Sequence, residues 1–99
     1  MKPMMKLHLL SREGMRAANR GDHDNALFAL HQALLLTRGI CAPLHEAKVL
    51  CNISLVLLMK GENIASHDHL CQALPLVENH AGSDNSLYRR IFEQLDQAA

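Results

Sequence analysis

Residues 18–34 read ANRGDHDNALFALHQAL and residues 58–74 read LMKGENIASHDHLCQAL, and the two stretches align without a gap. Each carries a glycine (Gly21, Gly61), an acid directly after it (Asp22, Glu62), a leucine (Leu30, Leu70) and the ending Gln-Ala-Leu. Self-similarity at a spacing of 40 residues is the mark of a helical repeat, in which each unit is a pair of helices that stacks on the next to bury its apolar side.

Working outward from the two copies, the apolar residues recur at helical spacing throughout. Leu7, Leu10, Gly14 and Ala17 make one stripe on a helix from about Met4 to Arg20, which Gly21 ends. Asp22 supplies an acceptor for the free amides of the next helix, whose stripe of Ala26, Leu27, Leu30, Ala33, Leu34 and Thr37 runs to Gly39. Pro43 suits the first position of a third helix, where a missing N–H costs nothing. Its buried stripe is Ala47, Leu50, Ile53, Ser54 and Leu57, and Lys60-Gly61 closes it. A fourth helix is expected to bury Ile64, Leu70, Ala73, Leu74 and Val77, with Pro75 kinking or fraying its last turns. After the loop HAGSDN a fifth helix, about 84–98, starts from Ser83 or Asp84 and lines up Leu87, Ile91 and Leu95. No strand candidate is left over.

Composition agrees. Apolar residues make up 48% of the chain but aromatics only 3%, and the apolar set is rich in Leu and Ala, so the core is expected to be helical. Ninety-nine residues suffice for one domain and one modest core. Ten basic and ten acidic side chains cancel, which removes the positive field a phosphate backbone needs, and stacking platforms are scarce; nucleic acid is not an expected partner. The charges are unevenly placed. Lys2, Lys6, Arg12, Arg16 and Arg20 face a single acid, Glu13, in residues 1–20, whereas residues 61–87 hold Glu62, Asp68, Glu78 and Asp84 with no Lys or Arg. Such polarity favours self-association, here expected as a homodimer. No stretch approaches the roughly 20 apolar residues of a membrane span, and the short LHLL run after Lys6 falls short of a signal peptide. Cys41, Cys51 and Cys71 are odd in number and hold no Cys-x-x-Cys, which fits reduced thiols in the cytoplasm.

With its small residue midway along the first helix, Gly-acid turn and small residues recurring in the second, the chain resembles the tetratricopeptide repeat family, in a longer-period variant. Gly14, Gly21, Asp22, Ala26 and Ala33 match in a first repeat at about 7–40, and Ser54, Gly61, Glu62, Ser66 and Ala73 match in a second at about 47–80. The family's large aromatics are replaced by Leu10, Ala17, Leu50 and Leu57, and its late proline is absent at Arg38. The resemblance implies an all-α array of antiparallel hairpins, a short solenoid of about five helices, with the first helix of each repeat lining a concave face. That face would carry His8, Ser11, Arg12, Met15 and Asn19 beside Lys48, Cys51, Asn52, Leu55 and Met59, a mixed surface fit for a peptide or amphipathic helix. Some relatives clamp a terminal carboxylate there. Lys48 and Asn52 fit that clamp, but Ser11 and Met15 stand where its first-repeat residues would be, so the clamp is expected to be absent.

Histidine is plentiful, but the spacings argue against a metal centre or an enzyme. His67 and Cys71, four apart, share a helix face yet are two ligands where a site needs three or four. HEAKV at 45–49 has Val49 where a metalloprotease helix needs its second His. No spacing selects a Cys-His-orienter trio. The expectation is therefore a non-enzymatic protein-interaction module without metal or cofactor. The alternatives are a homo-oligomeric structural protein and, further off, a small metal-binding protein.

Overall fold

The computed structural model describes residues 1–98. They form five helices: α1 (Pro3–Asn19), α2 (His23–Gly39), α3 (Pro43–Met59), α4 (Asn63–Ala81) and α5 (Ser86–Ala98), with no strand among the described residues. Helix starts at Pro3, His23, Pro43 and Asn63 fall 20 residues apart, half the spacing of the sequence repeat. Each helix packs on the next, and α1 also touches α3, as expected of an all-helical, repeat-like stack.

The equal spacing is enforced by one turn made three times. The amide of Asp22 donates to the Ala17 carbonyl, that of Ala42 to Thr37 and that of Glu62 to Leu57, each at 2.9 Å, while the amide just before each donates to Ala18, Arg38 and Leu58 in turn. This paired hydrogen bonding closes a helix only if the residue between takes a left-handed conformation. Gly21 (φ 81°) and Gly61 (φ 82°) do so, and in the middle turn Cys41 does (φ 54°). The sequence places the end of the second helix at Gly39; Gly39 is its last helical residue, and the turn itself is made at Cys41. Asp22 caps α2 as expected, accepting from the Asn25 amide at 3.4 Å, and Pro43 opens α3.

Small residues set the spacing within each hairpin. A Cβ placed on Gly14 would lie 2.7 Å from Leu30 Cγ and 3.2 Å from the Ala26 carbonyl oxygen, so α1 and α2 touch where only glycine fits. The equivalent contact in the second hairpin is polar. Ser54 and Ser66, both buried, have their hydroxyl oxygens 2.7 Å apart, and the Ser66 hydroxyl also lies 2.9 Å from the Ser54 carbonyl oxygen, which can only accept. These hydroxyls thus satisfy each other and the backbone, which removes the penalty of burying them. Ala26, Leu30, Ala33, Ala47, Leu50, Ile53, Ala73 and Val77 fill the rest of one contiguous core.

Three expectations are corrected in the C-terminal half. Ile64 is 81% exposed, because it sits in the first turn of α4, outside the stripe that Ser66, Leu70 and Ala73 turn inward. Pro75 does not fray the last turns of α4, which continues to Ala81, and Pro75 itself is exposed. The cap of α5 is Asn85 rather than Ser83 or Asp84: its side chain accepts from the Tyr88 amide at 2.8 Å and donates to the Gly82 carbonyl at 2.9 Å. From there Ile91, fully buried, and Leu87 and Leu95, half-buried, close against the core. Among the described residues no helix is long and apolar enough to cross a membrane.

Candidate partner-binding face

Helices α1, α3 and α5 bring their polar flanks to one side of the stack. His8 and Ser11 of α1 meet His45, Lys48 and Asn52 of α3 around a cavity of about 210 Å³. Lys48 and Asn52, one turn apart, also line a second cavity of about 400 Å³ whose far wall is Ser86, Leu87 and Arg90 of α5. Two shared residues thus join the cavities into one groove. Further along α3 the character changes. Leu55 and Leu58, with Ser66 and Leu70 of α4 and Gln94 of α5, enclose about 480 Å³ of mostly apolar surface. The Oε1 atom of Gln94 is buried there without a hydrogen-bond partner.

Among the described residues no acidic side chain lines any of the three cavities, whereas Lys48 and Arg90 face each other across the middle one. The groove is cationic at one end and greasy at the other. Burial, then the nearby Lys48 and His8, hold His45 below the ordinary imidazole range.

Of the residues singled out from sequence, His8, Ser11, Lys48, Asn52 and Leu55 come together in this groove. Arg12, Asn19 and Met59 are exposed outside its lining. Met15 is half-buried and packs against the core. Cys51 is corrected: it is fully buried and points inward, on the side of α3 that Arg90 of α5 reaches. Burial pushes its thiol up, and the nearby positive Arg90 pulls the other way. The residues missed are His45 and those of α5. Ser86, Arg90 and Gln94 recur every four positions beside the apolar stripe, a signal present in the sequence but indistinguishable there from the solvated back of a covering helix.

Large exposed apolar side chains lie elsewhere. Phe28 and Leu35 are each 67% exposed and seven residues apart on α2, and Phe92, stacked on Tyr88, is exposed on α5. Cys41, Cys51 and Cys71 are free thiols. The Cys71 sulfur lies 3.6 Å from His67 Nδ1, as the i, i+4 spacing implies, but no group of three or more His, Cys, Asp or Glu able to hold a metal occurs among the described residues. Compared with known proteins, the chain matches no family model, no curated protein and no solved structure.

Proposed function

We propose that this chain is a non-enzymatic interaction module that takes an acidic peptide or amphipathic helix of a partner protein along the α1/α3/α5 groove. One observation carries the reading: Lys48 and Asn52 belong to two adjoining cavities at once, with Arg90 opposite and no acid in the lining. An acidic segment would set its carboxylates on Lys48 and Arg90 and lay an apolar flank on Leu55 and Leu58. The tetratricopeptide resemblance points to the same face. Unpaired thiols at exposed Cys41 and Cys71 suit a reducing, cytoplasmic setting.

The test is fluorescence anisotropy with amphipathic helical peptides of equal length and apolar content, differing only in whether the polar face carries Glu or Lys. The Glu series should bind, and a double Lys48→Glu, Arg90→Glu variant with unchanged circular dichroism should lose about 10-fold or more in affinity, since each charge-assisted contact is worth about 1.5–3 kcal/mol at most. Equal binding of both series, or an unaffected variant, would reject the acidic-partner reading. A second reading, self-association without a foreign partner, is favoured by one feature, the exposed Phe28 and Leu35 on α2.

A further inference from the structure

The first hairpin (α1, α2) meets the second (α3, α4) mainly through α2 against α3, and at both outer seams of this joint the residues facing each other are histidines. On the groove side the rings of His8 (α1) and His45 (α3) have centroids 6.0 Å apart. On the opposite side those of His31 (α2) and His69 (α4) are 6.3 Å apart. We infer that the joint between the hairpins is an acid-sensitive hinge, closed while these imidazoles are neutral and loosened when both members of a pair take up protons.

His8 and His31 reach solvent, while His45 and His69 are half-buried. His69 Nδ1 lies 2.8 Å from the Ala65 carbonyl oxygen, which can only accept, so Nδ1 carries the hydrogen and the contact holds the ring. Protonation therefore charges a ring that is held in place opposite His31. The other group acting on His31 is Arg38, also positive, and on His45 it is Lys48. Among the acids on the packed elements, Glu13 pairs with Arg16, Asp24 with Lys60 and Glu46 with Arg38, and no carboxylate contributes to the shifts of His31 and His45.

The sign comes from linkage. Burial first, then the like-charged neighbours, lower the proton affinity of His31 and His45 in the folded chain relative to the ordinary imidazole value of 6.5. Between that value and the folded ones the unfolded chain binds more protons, so stability is complete above about pH 6.5 and declines as pH falls below it. The inference holds whatever the groove binds.

Thermal melts at pH 7.5 and 5.5, together with small-angle scattering, test it. The unsubstituted protein should lose about 4 °C or more in Tm on acidification, and its radius of gyration, 12.9 Å over Cα atoms when closed, should rise while helicity persists. A His31→Gln, His45→Gln double variant should lose less than half as much. Equal losses in both proteins would overturn the proposal. So would the absence of any loss in either. Should the double variant fold poorly, NMR titration of His69→Gln replaces it: the midpoint of His31 must move up when its partner is removed, and an unmoved midpoint refutes the coupling.

Discussion

Cys41 stands in the left-handed conformation that Gly21 and Gly61 adopt in the flanking turns. A side chain there crowds the following carbonyl, at a cost of about 1–2 kcal/mol for an L-residue. Cys41→Gly should therefore raise stability by about 0.5–1 kcal/mol, less than the full strain because glycine also loosens the unfolded chain. Urea denaturation followed by circular dichroism measures this, and a lower midpoint would contradict it. The position was not legible from residue types, since cysteine gives no turn signal and the nearby Gly39 offers a false one. The spacing held the information: the 40-residue repeat is itself two equal halves, and 41 is the midpoint between 21 and 61. At Gly14, by contrast, the expectation that glycine serves as clearance was readable from its place in the stripe, and the 2.7 Å approach of Leu30 to a notional Cβ gives the reason.

Helices α1 to α4 were legible because periodicity, caps and the repeat agreed on them. The fifth is marked by its stripe but ambiguous at its start, where Ser83, Asp84 and Asn85 are all good caps by type. The backbone decides among them: Gly82, with φ 75° and ψ −170°, turns the chain so that Asn85 reaches the Tyr88 amide, and leaves Asp84 exposed beside Arg89. Asn85→Ala should cost about 1 kcal/mol. That loss should appear first in α5, as faster amide hydrogen exchange there than in α1 to α3, because α5 rests on the stack by one side only. Uniform acceleration across all five helices would show that α5 and the stack unfold as one unit. Pro75 shows the limit of a local rule. It does remove a bond, but a helix whose inner face is held by Ala73 and Val77 runs on past it.

For the molecule as a whole, the greasy contact surface expected of Met15, Leu55 and Met59 is distributed differently. Met15 is drawn toward the core, Leu55 stays in the groove, Met59 is exposed outside it, and a separate exposed apolar pair, Phe28 and Leu35, lies on α2. Single-sequence periodicity could not foresee this, because it ranks residues by stripe and does not know which stripe a neighbouring helix will cover. If the α2 surface joins two copies, sedimentation equilibrium should give a dimer that Phe28→Asp with Leu35→Asp converts to a monomer, with helicity retained. A dimer that survives both substitutions would move the interface elsewhere, and a monomer at all concentrations would remove self-association from consideration. Groove and α2 surface lie on different helices, so the two sets of substitutions separate a loss of partner binding from a loss of self-pairing.

The three matching turns have one further consequence. Because the first and third turns match and lie 40 residues, one complete helix pair, apart, the junctions at Asp22 and Glu62 are interchangeable splice points, and a copy of the segment between them could be inserted at either without disturbing the register of the later helices. Lengthening by whole modules of this kind is thus built into the backbone geometry, whereas adding or deleting a single residue within a helix would rotate every later side chain by about 100° and expose the core.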